Sequence, residues 1–427
     1  MKGNDIVIAG GVRTPLAKAG TAFKDVPAVE LGRVALSGLL AKFDLDPKVV
    51  DEVVLGCVAQ PADAANIARV VALQAGIPKE KPAITVQRNC ASGMEAVSYA
   101  YYKIKDGAAK VMIAGGVESM SNIPLLYPKD YGEALWKLRK ARTIGGKLGA
   151  LRSFKLRHFK PIIGLELGLT DPICGLNMGQ AVDRLAREMH ISRKEQDEFS
   201  LLSHQRASKA MQSGRFAEEI VPVYLRHGKA VADDIGPRPN QTLEQLAAMK
   251  PFFDREFGTV TVGNSCPVTD GATALIVTTY DRAKSLGLEP WGVIRSHAYA
   301  GIEPERFAIA PAIASSLALD QGGLSLRDIG LIEINEAFAA VILGNERVFK
   351  SLEFAKERLG KSSPLGEIDR SRLNVNGGAI ALGHPVGVSG ARLVLTLLIE
   401  MRHRNVNLGL AAICIGGGQG GAMVLER

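Results

Sequence analysis

The sequence predicts an α/β fold of two similar halves with a largely helical insertion between them. Three observations lead there. Apolar strand-like runs alternate with amphipathic helical periods through the first third of the chain, the pattern of a sheet with helices on both faces. The last third returns to the same outline. The stretch between, residues 124–254, breaks the rhythm. A length of 427 residues leaves room for two or three domains or a duplicated one, and 47% hydrophobic residues fill a large core and exclude a disordered chain.

Taken in order, Ile6-Val7-Ile8-Ala9 is a short buried strand, residues 28–45 carry a helical period, 51–56 form a strand and 66–75 a helix. Ala83-Ile84-Thr85-Val86 is a strand. The helix after it, over 91–104, sets Gly93, Val97, Tyr101 and Ile104 on one face and stops at Asp106-Gly107. Residues 111–114 are the next buried strand. In the middle, 179–190 and 193–213 are strongly helical, and 259–279 returns to strand-like sequence around a loop of Gly, Asn and Pro. In the last third, Gly387-Val388-Ser389-Gly390 opens a helix to about 404, as Cys90-Ala91-Ser92-Gly93 opens the earlier one. In both cases a buried strand then runs into glycines, at Ile113-Ala114-Gly115-Gly116 and at Ile413-Cys414-Ile415-Gly416-Gly417.

The formal charge of +8 is unevenly spread. Residues 129–160 hold ten Lys and Arg against two acids, a surplus equal to that of the whole chain. Leu135, Leu138 and Ile144, then Leu148, Leu151 and Phe154, recur near helical spacing, so this segment reads as a basic amphipathic helix broken at Gly145-Gly146. Such a helix suits an anionic membrane surface or an acidic partner; the alternative is a solvated basic face packed on its own domain. Nucleic acid is a poor fit, because no aromatic-interleaved reading motif accompanies the charge. No apolar run reaches the roughly 18 residues of a membrane span, and the opening residues hold neither a signal-peptide core nor an Arg-rich transit segment. Cys57, Cys90, Cys174, Cys266 and Cys414 are an odd number without CxxC spacing, which fits reduced cytoplasmic thiols better than disulfides or a zinc ribbon, and no metal-ligand spacing is present.

Four stretches could carry chemistry. Cys90 sits at a strand-to-helix junction among small neighbours, where a helix N-terminus favours a thiolate by roughly 0.3–1 kcal/mol; the alternative is an inert buried thiol. His384, between Gly383 and Pro385 in a glycine-rich run, is placed to be a general base for such a thiol rather than a structural loop residue. Cys414, at the end of a buried strand before Gly416-Gly417-Gly418, suits an acid/base beside exposed backbone N–H groups. Gly416, Gly418 and Gly421 match a dinucleotide fingerprint by letter, but a strand and the chain end follow instead of a helix. Asn335-Glu336-Ala337-Phe338, after the strand at 331–334, reads on its own as a helix cap.

Together these stretches resemble the thiolases over nearly the whole chain: Cys90-Ala91-Ser92-Gly93, Asn335-Glu336-Ala337-Phe338, Gly383-His384-Pro385 and Cys414-Ile415-Gly416-Gly417-Gly418 stand in that family's order and spacing, and Gly115-Gly116-Val117-Glu118-Ser119-Met120-Ser121 is also similar. The resemblance implies a five-layered αβαβα fold, with an N-terminal half at 1–123 plus 255–283, a loop domain at 124–254 that binds CoA and carries the basic segment, and a C-terminal half at 284–427. The basic segment and residues 251–261 look most like the thiolase (β) subunit of the fatty-acid-oxidation trifunctional complex, which docks on a hydratase/dehydrogenase α subunit. This chain has Asn335 where that subfamily often has His, Cys266 where many thiolases have Ser, and Asn177 where a His commonly precedes the methionine of the CoA pocket.

The implied activity is CoA-dependent cleavage of 3-ketoacyl-CoA to acetyl-CoA and a shortened acyl-CoA through a covalent acyl-Cys intermediate. In it Cys90 is the nucleophile, His384 its base, Cys414 the second acid/base and Asn335 the holder of a water. Backbone N–H groups of Cys90 and Gly416 are the expected oxyanion hole, with Met178, Cys266 and Phe338 contacting CoA. A tuned thiol pKa near neutrality suits the role of Cys414. No cofactor or metal is implied, since CoA enters as a substrate. The implied setting is a cytoplasmic homodimer or dimer of dimers, with a peripheral membrane contact through residues 129–160. Alternatives are a biosynthetic acetoacetyl-CoA thiolase, a ketoacyl-carrier-protein synthase, which lacks a second catalytic Cys, and a non-catalytic membrane-surface scaffold.

Overall fold

The computed structural model describes residues 1–226 and 228–427. Its main unit, residues 1–122 and 171–427, is built on the strands β1 (Ile6–Arg13), β2 (Glu52–Gly56), β3 (Ala83–Val86), β4 (Val111–Ser119), β5 (Thr269–Thr279), β6 (Gly292–Gly301), β7 (Leu331–Ile334), β8 (Leu408–Ile415) and β9 (Gln419–Glu426). The long helices are α1 (Ala28–Lys42), α2 (Ile67–Gln74), α3 (Ser92–Lys105), α4 (Lys129–Lys140), α5 (Ile144–Leu151), α6 (Met178–Glu188), α7 (Arg193–Gln212), α8 (Ala310–Gly322), α9 (Ala339–Phe349) and α10 (Val386–Arg404).

The strands follow the order β7-β8-β9-β6-β1-β5-β4-β2-β3. The duplication is written in their senses. In the first half β3 and β2 pair parallel, β2 and β4 parallel, β4 and β5 antiparallel, and β5 and β1 antiparallel. In the second, Leu373 bridges Ile332 of β7 in parallel, β7 and β8 pair parallel, β8 and β9 antiparallel, and β9 and β6 antiparallel. The halves meet where β1 pairs β6 at Val7↔Val293 and Ile8↔Gly292. Helices occupy matching connections: α1 and α8 after the first strand, α2 and α9 after the second, α3 and α10 after the third.

The three largest apolar cores among the described residues lie between the layers. Strand side chains alternate between faces, and the alternation sorts them. Val7, Val53, Val111 and Ile113 pack with Leu31, Leu36 and Ile67 of α1 and α2. Ile6, Ile8, Val54, Met112 and Ala114, on the opposite face of the same strands, pack with α3 and α10. That middle core also takes Ala411, Ile413 and Leu425 from the second half, whose other face, through Leu410, Ala412, Ile332 and Ile334, packs on α8 and α9. The central pair α3 and α10 therefore lies between the two halves, buried on both sides. Their crossing is close because it is lined by glycine: a Cβ on Gly93 would lie 2.8 Å from the nitrogen of Ala391, and one on Gly390 2.5 Å from that of Met94. The two Ser-Gly openings that hint at duplication in the sequence are thus the contact point of the halves.

Ile123–Thr170, which takes in the start of the 124–254 stretch, is a separate compact unit, whereas Asp171 onward belongs to the unit of the two halves. Helix α6 is capped by Asn177, whose side chain accepts from the Gly179 N–H, and α7 by a reciprocal Ser192–Glu195 box. Strand β5 begins only at Thr269, so 259–268 is loop rather than strand, held by Asn264, whose side chain accepts from the Thr261 N–H and donates to Asp197. In the small unit the helix break falls at 141–143 and not at Gly145-Gly146. Thr143 caps α5 by accepting from the Gly146 N–H at 3.1 Å, which draws both glycines into the first turn. Asp130 of α4 receives Arg157, and His158 Nε2 lies 2.9 Å away. Those two contacts, His158 first, hold the Asp130 carboxyl well below the usual range. Trp136, Ile144, Leu148, Leu151, Leu156 and Phe159 of this unit are exposed. Among the described residues, no helix is long and apolar enough to cross a membrane.

Candidate active site

The loop between β3 and α3 presents Cys90. Asn89 takes a left-handed conformation, φ 43°, which turns the chain sharply before the helix. Its side chain then donates to the carbonyl of Gly416 at 2.8 Å and so fastens the Cys90 loop to the β8–β9 turn of the other half. Ser92 closes the turn, accepting from the Arg88 N–H at 2.8 Å and donating to the Asn89 carbonyl at 2.7 Å. The N–H groups of Gly416 and of Cys90 itself face the Cys90 sulfur and favour its ionised form. Burial nonetheless pushes this thiol up, against those N–H groups, and the Glu118 carboxylate adds to the rise. The expected preference for a thiolate at the helix terminus is opposed by burial, which outweighs the N–H groups and leaves the net shift upward.

His384 is held just before α10. Its backbone N–H reaches the hydroxyl of Thr269 at 3.2 Å and the carbonyl of Pro267 at 3.3 Å. Its ring Nδ1 lies 2.6 Å from Ser389 Oγ, and that hydroxyl donates to the Pro385 carbonyl at 3.2 Å. A hydroxyl that donates its one proton there must accept from the ring, so the network assigns the proton to Nδ1 and the lone pair to Nε2. Nε2 has no partner among the described residues. Burial first, and then the Arg392 charge, lower the His384 pKa to about 3, so the ring is neutral. Burial thus works against a thiolate–imidazolium pair at these two groups. Alkylation of Cys90 by iodoacetamide is therefore expected to accelerate steadily as pH rises across the neutral range, because the folded thiol titrates above its ordinary value. A plateau already reached near pH 6, the mark of a preformed thiolate–imidazolium pair, would refute this arrangement.

Cys414 is buried near the end of β8. Burial raises its pKa well above the ordinary thiol value, and the neighbouring Cys90 and Cys266 add to the rise. The direction is opposite to a thiol tuned toward neutrality. Cys266 is raised by burial and by Cys90. The structure therefore gathers three thiols, Cys90, Cys266 and Cys414, one of which the sequence reading had assigned to CoA contact alone. The segment carrying Cys266 links two motifs: Ser265 bridges Phe338 and Val268 bridges His384. Met178 lies over Gly416, since a Cβ there would come 3.2 Å from Met178 Sδ. Phe338 meets Phe253 edge-on at 5.9 Å.

Asn335 is fully buried, its N–H bonded to the Ala412 carbonyl at 3.0 Å. Both polar atoms of its side chain lack a hydrogen-bond partner among the described residues, unusual for a buried carboxamide. Glu336 accepts from Ser203 Oγ (2.6 Å), Asn374 Nδ2 (2.9 Å) and the Ile380 N–H (3.2 Å), and burial raises its pKa. The helix-cap reading of Asn335-Glu336 fails: α9 starts at Ala339 behind Phe338, and neither side chain reaches it. Sequence reasoning missed Asn89, Ser389 and Arg392, all seen only as neighbours of a motif; the Ser in Gly387-Val388-Ser389-Gly390, five residues after His384, was the available signal.

The duplicated fold thus gathers Cys90, Cys266 and Cys414 in one buried cluster. The sequence matches family models described as the thiolase N-terminal domain over residues 6–281 and the thiolase C-terminal domain over 288–427. It is 40% identical over 427 residues to a 3-ketoacyl-CoA thiolase of Yersinia enterocolitica and 41% to one of Pectobacterium carotovorum, covering 100% of this chain and 97% of each relative. Among solved structures it superimposes on a Bacillus anthracis acetyl-CoA acetyltransferase with a TM-score of 0.86 and on human mitochondrial 3-ketoacyl-CoA thiolase with 0.85, each at 36% identity and 99% coverage of both chains. The chain belongs to the thiolase family.

Proposed function

We propose that this enzyme is a 3-ketoacyl-CoA thiolase acting in fatty-acid β-oxidation. The observation that carries the reading is the convergence of Cys90, Cys414 and the Gly416 N–H on one buried site, in a chain 40% identical end to end to enzymes of that name. His384 Nε2 takes the Cys90 proton, and the sulfur attacks the 3-keto carbon. The C2–C3 bond breaks and the acyl group stays on Cys90. Cys414 protonates C2 of the departing acetyl-CoA enolate, whose thioester oxygen is held by His384 and a water fixed by Asn335. Incoming CoA then gives its thiol proton to Cys414 and attacks the acyl-Cys90 thioester. The oxyanion falls on the N–H groups of Cys90 and Gly416, and Cys90 leaves, recovering its proton from His384. Met178, Cys266 and Phe338 are the proposed CoA contacts.

The likeness to an acetyl-CoA acetyltransferase supports a second reading, condensation of two acetyl-CoA. CoA-dependent cleavage assayed from C4 to C16 3-ketoacyl-CoA separates the two. Activity confined to acetoacetyl-CoA would overturn the first. The proposed assembly is a homodimer or dimer of dimers, and light scattering showing a monomer at micromolar concentration would exclude it.

The unit at 123–170 supports a peripheral role, on an anionic membrane or on an acidic hydratase/dehydrogenase subunit. Lys137, Arg139 and Lys140 crowd the last turn of α4, with Arg139 and Lys140 over the exposed Trp136 ring at 5.6 and 5.8 Å. Each basic residue near an anionic surface contributes about 1 kcal/mol. Replacing Lys137, Arg139, Lys140 and Arg142 by Ser is expected to release the protein from phosphatidylserine-containing vesicles and to leave turnover of acetoacetyl-CoA unchanged. Co-sedimentation insensitive to both the substitutions and salt would leave only a solvated basic face.

A further inference from the structure

One buried carboxylate ties the two halves together beside the candidate site. Glu118, near the end of β4, is fully buried. Its Oε2 accepts from the N–H of Val58 at 3.0 Å and from that of Gly387 at 2.9 Å, and its Oε1 accepts from the N–H of Ala59 at 2.9 Å. The Cys57 thiol lies 3.6 Å from Oε1. Val58 and Ala59 continue the chain past β2 in the first half, whereas Gly387 is in the first turn of α10 in the second, three residues after His384. That turn has no side-chain cap of its own among the described residues, so a carboxylate from the other half supplies the acceptor that its N–H and the positive helix end require. The contact is intolerant of bulk. A Cβ on Gly387 would lie 2.8 Å from Glu118 Oε2, 3.0 Å from the Cys57 Cα and 3.1 Å from the Gly56 carbonyl. Glu118 also faces Cys90 closely enough to act on its sulfur.

We propose that Glu118 is a positioning residue, which seats the first turn of α10, and with it His384, against the Cys90 loop. The inference rests on reading Cys90 and His384 as nucleophile and base. Two effects of the Glu118 charge have opposite signs. In its ionised form, which burial disfavours and its three N–H donors favour, it opposes a Cys90 thiolate, so its removal would speed reaction at the sulfur. As the anchor of the His384 turn its removal misplaces the base and slows it. Gln keeps the shape but offers one acceptor oxygen, and turns an N–H₂ group toward backbone N–H donors.

The test is the rate of Cys90 alkylation by iodoacetamide at pH 8 for wild type, Glu118→Gln, His384→Ala and the double variant, with steady-state kinetics beside it. Glu118→Gln is expected to slow alkylation about tenfold in the wild-type background and less than about twofold once His384 is Ala, as for a residue acting through the base. It should lower kcat about tenfold or more with KM within about twofold. Equal slowing in both backgrounds, or acceleration in both, would overturn the positioning role. If His384→Ala alone leaves alkylation unchanged, the base reading itself falls. Should Glu118→Gln fail to fold, Gly387→Ala presses on the same contact and must give the same dependence on His384; slowing independent of His384 would overturn the proposal equally.

Discussion

Cys90→Ser is expected to abolish thiolysis, with a loss on the order of a thousandfold or more. Burial and Glu118 hold the Cys90 thiol above its ordinary pKa, so transfer of its proton to a neutral imidazole is already uphill. The gap to a serine hydroxyl is far wider, and His384, lowered to about 3 by burial and Arg392, is too weak a base to close it. The expected readout has two parts. Steady-state cleavage disappears, and intact-protein mass spectrometry after incubation with acetyl-CoA shows no adduct in the variant, whereas the wild type carries one acetyl group on the peptide with Cys90. Recovery of the acyl group only on Cys57, Cys174 or Cys266 would remove Cys90 from its role. Cys266 is the instructive control, because it shares the buried cluster without the paired N–H groups that face Cys90.

The duplication was legible in outline because both copies open a helix with Ser-Gly and end a strand in Gly-Gly, features demanded locally by the α3–α10 crossing. The matching strand senses were not legible. They depend on pairings such as Ile332 with Leu373 and on the single join of β1 to β6, which leave no periodic mark on the chain. The same division holds at the site. Cys90, His384 and Cys414 stood out because each sits where glycine or a helix start exposes a reactive atom. Glu118, Ser389 and Arg392 did not, because each acts on an atom distant in sequence or sits inside a helix whose periodicity masks it. Protonation was the least legible property. A helix-end argument favoured a thiolate at Cys90, and the demands of an acid/base role favoured a near-neutral thiol at Cys414, but both depend on how completely the two halves close over the sulfur, and burial reverses the sign in each.

Cys414→Ala is expected to separate two reactions that the intact enzyme runs together. Thiolysis of acetoacetyl-CoA requires a proton at C2 of the leaving acetyl-CoA and a base for the incoming CoA thiol. Loss of one positioned acid/base costs about 10²–10⁴-fold in such steps. Formation of acyl-Cys90 from a simple acyl-CoA breaks a thioester and creates no carbanion. It draws on His384 and on the N–H groups of Cys90 and Gly416, none of which the substitution removes, so it should stay within about tenfold of wild type. The buried position argues for some structural cost, since deleting a sulfur from a packed core loses about 1 kcal/mol or more. That cost alone would depress both reactions together. The decisive quantity is therefore the ratio of overall thiolysis to single-turnover acylation of Cys90, followed by rapid quench. A ratio unchanged from wild type, with both activities reduced alike, would make Cys414 a packing residue and leave the proton at C2 to another group.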